Sequence, residues 1–233
     1  MRTNLLVDDI HLIIETLDKC RESKKISNGK RVSIDIIVGE AGPELVCDLL
    51  FGHILLRFGI CDEVHYHTKA IPTLFTGATS RDVYAAVQLL SNPVSSDVWS
   101  VRHFGEAVRD HIMSGQMTVT DDLFWCQPTA FWDMPAPVQQ KLSSSALVFV
   151  KGDANYRRLL GDREWPLDLA ASTVLSYWEP IPVCALRRIA SPIVCGVPKS
   201  TAQRVEREDF RWQENGKWAL VQCNRQSPQT VLN

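Results

Sequence analysis

Apolar residues recur at helical spacing over Asp9 to Cys20, at Ile10, Ile13, Ile14 and Leu17, which predicts an amphipathic helix. The chain then turns polar from Arg21 to Lys30 and carries Asn28-Gly29, a turn signal. Val32 to Val38 is rich in β-branched residues and reads as a buried strand, the first of the sheet. Pro43 suits the first turn of a helix, and that helix is predicted to run to about Phe58. Glu63 to His67 reads as a second strand. Ile71 to Ser80 is a loop punctuated by Pro72 and Gly77. Arg81 to Leu90 is a helix, Asn92 to Asp97 a polar linker, and Trp99 to Met113 another helix.

Thr118 to Trp125 contains a short strand, and Phe131 to Pro137 is aromatic, proline-rich and so irregular. Ala146 to Val150 is a wholly apolar run, read as a fully buried strand, and a helix follows it from near Asp153. Trp165 to Trp178 is mixed. Val183 to Leu186, Ile193 to Val197 and Trp218 to Cys223 are the remaining strand candidates. Strands alternating with helices predict an α/β fold, a Rossmann-like, doubly wound, mostly parallel sheet flanked by helices. One domain over residues 1–224 and a loose polar tail over 225–233 account for the 233 residues.

Composition narrows the class without naming a function. Hydrophobic residues make up 45% and charged residues 22%, with a formal net charge of −2, ordinary for a soluble globular protein. Basic residues are scattered, so nucleic acid is not an expected partner. Neither a signal peptide nor a stretch approaching the ~20 apolar residues of a membrane span is apparent, so no membrane is expected. Seven cysteines, odd in number and without a Cys-x-x-Cys pair, read as free thiols in a reducing, cytoplasmic setting.

In a doubly wound sheet, ligands bind beyond the carboxyl ends of the strands. Three segments should meet there: Gly39 to Glu44, His67 to Gly77, and Lys151 to Arg157. Asp153 could cap a helix start, and Lys151, Asn155 and Arg157 add donors nearby. A strand–helix junction with solvated basic residues is the plain alternative. Glu40 and Glu44 could pair for acid–base work, with first-turn stabilisation as the competing role. His65 and His67 share one face of their strand, where a structural histidine is the commoner case. The tandem Asp121-Asp122 reads as a solvated turn.

The run Lys151-Gly-Asp-Ala-Asn155-Tyr156-Arg157-Arg-Leu-Leu-Gly161-Asp162-Arg163 resembles the damage-control phosphatases, in their acidic-residue-methyltransferase-like branch. The resemblance covers nearly the whole chain. It implies a metal-dependent phosphatase ancestry and a Rossmann-like fold. The family frame persists at Ala41, Gly42, Glu44 and Leu45, at His67, Lys69 and Pro72, at Phe124-Trp125, and at Gly216-Lys217-Trp218. Three places differ. The family's metal-holding Asp-Asn is Gly39-Glu40, its third metal ligand is Gly77, and its phosphate-binding lysine is Ala190, after Arg187-Arg188-Ile189. The branch also carries a large helical region ahead of the sheet, whereas about thirty residues precede the first strand here.

Two glycines supply no oxygen to a hard cation, so no metal and no cofactor are expected, and phosphatase activity is expected to be absent or vestigial. The shortened side chains imply a wider, less polar pocket suited to a hydrophobic metabolite, with Tyr66, Phe75, Phe124, Trp125, Phe131 and Trp132 as candidate lining or ordinary core. The expectation is a metal-independent isomerase or cyclase, pericyclic closure included, in natural-product assembly. Glu40 would serve as base, with Lys69, Lys151, Asn155 and Arg157 as donors. Gly39, Glu44, His67, Gly77, Phe124, Trp125, Asp153, Tyr156 and Ala190 would contact substrate, and a second subunit is the candidate cover for the open site. The alternatives are a non-catalytic pseudophosphatase that binds a sugar phosphate or a protein, and a residual phosphatase with a rearranged metal at Glu40, Glu44 and Asp153.

Overall fold

The structure, a computed structural model, describes residues 4–26, 31–74, 76–92, 98–178 and 181–224. The turn expected at Asn28-Gly29, Phe75, most of the 92–97 linker and the 225–233 tail lie outside those residues.

Seven strands form one sheet: β1 (Leu5–Asp8), β2 (Ser33–Ile37), β3 (Glu63–Lys69), β4 (Met117–Asp122), β5 (Leu147–Lys151), β6 (Val183–Arg188) and β7 (Ala219–Cys223). Their order is β1-β7-β6-β5-β2-β3-β4. Every pair is parallel except β6 with β7. The expected doubly wound, mostly parallel α/β fold is what forms. β2 is buried at every position, in keeping with its β-branched content.

Side chains alternate between two cores. Ile34 and Ile36 join Val64, Tyr66, Leu147 and Phe149 on one face. That face is covered by α1 (Ile10–Ile26), α2 (Pro43–Arg57), α3 (Ser80–Ser91) and α4 (Trp99–Met113). Ile37 joins Val148, Val150 and Ala185 on the other. There α5 (Ala136–Leu142), α6 (Asp153–Leu159), α7 (Ala171–Val174) and α8 (Lys199–Glu208) pack, with short 3-10 turns carrying Phe124, Trp125, Phe131 and Trp178.

One charged group sits inside this apolar sheet. Asp35, fully buried in the middle of β2, is bonded by His67 and by the Ser145 hydroxyl, with His65 Nδ1 3.4 Å away. Burial pushes its carboxyl up, but the bonds from His65, His67 and Ser145 outweigh that and hold it at about 2. A buried carboxylate is tolerable only with this kind of satisfaction.

Several elements differ from their sequence reading. β1 is a strand that the pattern did not announce. Helix α1 continues to Ile26, through what reads as a polar segment. In 118–125 the strand ends at Asp122, and Phe124-Trp125 lie in a 3-10 turn. Within 131–137 a 3-10 turn leads into α5. Ile193 to Val197 is buried but forms no strand. Its carbonyls are taken instead by side chains: Arg187 bonds Ile193 O and Gln222 Nε2 bonds Cys195 O at 2.8 Å. Asp153 does not cap its helix. It is the first helical residue after Gly152, and no side-chain cap bond forms there.

Candidate functional site at the sheet switch point

From β2 the chain proceeds to β3 and β4 on one side, and from β5 to β6 on the other. The crevice beyond the ends of β2 and β5 is therefore the switch point, where doubly wound sheets bind ligands. Two glycines let the loops approach. A Cβ at Gly39 would lie 2.9 Å from Glu44 Oε1 and 3.0 Å from the Lys151 carbonyl oxygen, and Gly152 turns with φ +86°. The loop after β3 is stitched to the loop after β2 by a Glu40–Gly77 bridge. Asn155 ties the remaining pair, its amide donating to Val38 O at 3.0 Å and Lys151 O at 2.9 Å. The three expected segments do converge.

A cleft of about 380 Å³ opens here, lined among others by Glu40, Glu44, Lys151, Asp153, Arg188 and Ala190. Lys151 Nζ is 2.7 Å from Asp48 Oδ1 and 3.9 Å from Glu44 Oε1. Glu44 Oε1 and Asp48 Oδ2 are buried and find no hydrogen-bond partner among the described residues. Burial pushes both carboxyls above their ordinary values, while Lys151 opposes the shift. For Glu44 the neighbouring Asp48 and Glu40 push further up. Asp153 is already engaged: its Oδ1 accepts from Arg187 Nε at 2.8 Å and from the Ala190 amide at 3.0 Å.

On the other side of Asn155 lies a smaller hollow of about 280 Å³, touched by Lys69, Trp125, Arg157 and Arg158. Lys69 is buried, donates to Gly39 O at 3.2 Å, and burial lowers its ammonium pKa. Arg157 makes a two-pronged surface pair with Asp162 at 2.7 and 2.8 Å. Arg158, buried, donates to the carbonyls of Thr129, Trp125 and Phe124. Its guanidinium lies 4.5 Å from the Phe124 ring centroid, and burial brings its pKa down to about 10.

Comparison with known proteins shows the family of the chain. A family model described as the damage-control phosphatase ARMT1-like domain matches residues 1–205. The chain belongs to the damage-control phosphatase ARMT1-like family. It is 31% identical over 221 residues to damage-control phosphatase ARMT1 of Danio rerio, covering 94% of this chain and 48% of that protein. It is 30% identical to the Rattus norvegicus protein over 94% of this chain and 49% of that one. With the Xenopus laevis protein it shares 29% identity over 96% of this chain and 50% of that one. The chain thus spans about half the length of the curated relatives it matches. Among solved structures, a DUF89 family protein from Pyrococcus horikoshii aligns with TM-score 0.49 and 12% identity, covering 95% of this chain and 53% of that one.

The divalent metal that this family resemblance implies does not fit the residues present. Gly39 and Gly77 offer no side-chain oxygen. A Cβ at Gly77 would lie 2.4 Å from Thr73 O and 2.6 Å from Lys69 Cδ, so the lysine methylenes fill that space. Among the described residues no group of three or more His, Cys, Asp or Glu side chains converges as a metal-binding set.

Of the residues singled out in the sequence, Glu40, Glu44, Lys151, Asp153 and Ala190 line the switch-point cleft, while Gly39 lies against Glu44 and Lys151 and Gly77 bridges to Glu40 without lining it. Lys69, Asn155, Arg157 and Trp125 fall in the adjoining hollow. His67, Phe124 and Tyr156 are buried beneath, Tyr156 donating to Gln222 Oε1 at 2.7 Å. Sequence reasoning missed Asp48, Arg158 and the Asp35 network. Asp48 had a signal: it lies four residues after Glu44, on the same helix face. For Asp35, a lone acid inside a β-branched run was the clue.

Among the described residues no helix is long and apolar enough to cross a membrane.

Proposed function

We propose that this family member is a metal-independent isomerase that relocates a proton on a small anionic carbonyl compound bound in the switch-point cleft. The observation that carries this is Glu44: a carboxyl with a buried, unpartnered oxygen and a raised pKa, opening on the cleft 3.9 Å from the Lys151 ammonium. A carboxyl tuned upward can both take and return a proton near neutral pH. Glu44 removes the proton from the carbon beside the carbonyl. Lys151 holds the oxygen on which negative charge develops. Glu44 then returns that proton to the former carbonyl carbon, while the proton of the adjacent hydroxyl passes to the oxygen held by Lys151 and leaves a new carbonyl behind, so the step is balanced with no net redox change. Arg188 at the mouth attracts the substrate's anionic group.

Metal-assisted phosphoryl transfer has no support at Gly39 and Gly77, so phosphatase turnover is expected to be absent. The charged walls also favour a polar substrate over the hydrophobic one that the shortened side chains imply, and the buried, unpartnered oxygen favours Glu44 over Glu40 as the base. A pericyclic closure draws no support from this cleft.

The test is solvent exchange. The protein is incubated in D₂O with EDTA and a panel of ketose and aldose phosphates, and deuterium incorporation is followed by proton NMR. The expected result is EDTA-resistant exchange with at least one member, lowered by roughly 10²–10⁴-fold in Glu44→Gln. Phosphate release that EDTA abolishes would overturn the reading, as would exchange unaffected by Glu44→Gln.

Binding without turnover is the second reading. It is favoured by how fully Asp153, Asn155 and Arg157 are already engaged, by Arg187, by the Val38 and Lys151 carbonyls, and by Asp162. Calorimetric binding of a sugar phosphate with no exchange across the panel would select it.

A further inference from the structure

A second cleft, of about 490 Å³, shares no residue with the switch-point cleft. It lies toward the opposite end of the sheet, where Leu142 and Ser143 lead into β5 and Ile181 leads into β6. Its walls are aromatic and set by their own packing. Trp132 meets Tyr177 edge to face at 5.5 Å, and Phe131 lies 5.6 Å from Trp178. Tyr177 is pinned by a 2.7 Å bond to Leu159 O. Trp132 in turn lies over Gly161, where a Cβ would come within 1.6 Å of its ring and where φ is +71°. Only glycine permits that wall. The rings are therefore held before any ligand arrives, which lowers the ordering cost of binding.

One polar atom in this wall is unaccounted for. The indole N–H groups of Trp165, Trp212 and Trp218 each reach an oxygen, at 2.9, 2.7 and 3.1 Å. Trp178 is 7% exposed, and its Nε1 finds no hydrogen-bond partner among the described residues. A buried donor without an acceptor is costly, and structures rarely keep one unless something completes it. Here the unpaired donor belongs to a ring lining a cavity of the size that takes small organic molecules.

We infer that this cleft binds a small, flat, unsaturated molecule carrying a carbonyl-type acceptor, with the rings stacking on the molecule and Trp178 Nε1–H donating to its oxygen. Arg163 stacks on Trp132 at 5.0 Å, and a cation on that wall disfavours a cationic ligand.

A matched pair of probes tests this: 2-acetonaphthone, which has the carbonyl, and 2-ethylnaphthalene, which has the shape alone. Indole N–H resonances of ¹⁵N-tryptophan-labelled protein are followed by NMR, with Trp178 assigned from Trp178→Phe. The expected result is saturable binding of the ketone that moves the Trp178 N–H downfield. The ketone should bind roughly tenfold more tightly than the hydrocarbon, a preference abolished by Trp178→Phe. Ser143→Trp, at an exposed rim position, fills the cleft from outside and should block both probes in a protein whose circular dichroism is unchanged. Absence of saturable binding up to solubility, or a ketone preference that survives Trp178→Phe, would overturn the inference.

Discussion

The two clefts solve opposite problems with the same sheet. At the carboxyl ends of β2 and β5 the walls are ionic, and Lys151 is shared between Asp48 and Glu44. At the far end four aromatic rings dominate the walls and, among the described residues, the buried polar atom there without a partner is an indole nitrogen. The ionic cleft inherits its position from the switch point, a property of topology. The aromatic cleft depends on Gly161 and a handful of side-chain packings. A site of the first kind survives many substitutions in its lining, whereas one of the second kind is lost when a wall moves.

The comparison can be broken most severely at the part that both ends share. Asp35→Ala strips the partner from His67 and His65 in the middle of β2. It should cost ~3–5 kcal/mol in urea unfolding and weaken both clefts together. The same carboxyl makes stability acid-sensitive. Held at about 2 against an ordinary 3.8, it contributes stability that is fully present above pH 4 and lost as pH falls through 2. The loss amounts to about 2 kcal/mol by linkage. Wild type should show this acid limb in urea midpoints and Asp35→Asn should lack it. An equal limb in both would assign the acid sensitivity to other groups.

Gly161→Ala separates the two ends. A side chain at φ +71° that also meets the Trp132 ring should cost on the order of 2 kcal/mol. It should abolish ketone binding in the aromatic cleft while leaving deuterium exchange at Glu44 within a factor of two or so. Loss of both activities in a folded protein would mean that the clefts are coupled.

The smallest effect is expected at Arg188→Ala. This exposed residue at the ionic mouth should raise KM for a phosphorylated substrate a few-fold at low salt. The difference should vanish as ionic strength rises, with naphthyl ketone binding unaltered. A salt-independent change would mean that the arginine contacts substrate closely rather than attracting it.

The legibility of the fold followed burial. β5 was readable because a strand buried on both faces leaves an uninterrupted apolar run, and β2 because its β-branched residues mark it as a strand despite Ser33 and Asp35. Helix α8 was not, because only Ala202 and Val205 among its ten residues are buried and the rest is polar. β1 is four residues long and borders only β7, too short for alternation to register. Ile193 to Val197 misled because its apolar side chains enter the core while its carbonyls bond to Arg187 and Gln222 rather than to a strand. At the site, the meeting of the three loops was readable from topology. What lies against Gly39 and Gly77 was not, because a glycine in a sequence says nothing about which neighbour occupies the space beside it.

That last point bears on history. With Lys69 lying across Gly77 and Glu44 leaning on Gly39, restoring an acidic residue at either place meets atoms already there. Gains at these coupled positions would appear only when several changes arrive together. On the proposed metal-independent reading the chain behaves like a lock recut for another key: drift carries it onward from this arrangement more readily than back toward cation-dependent chemistry.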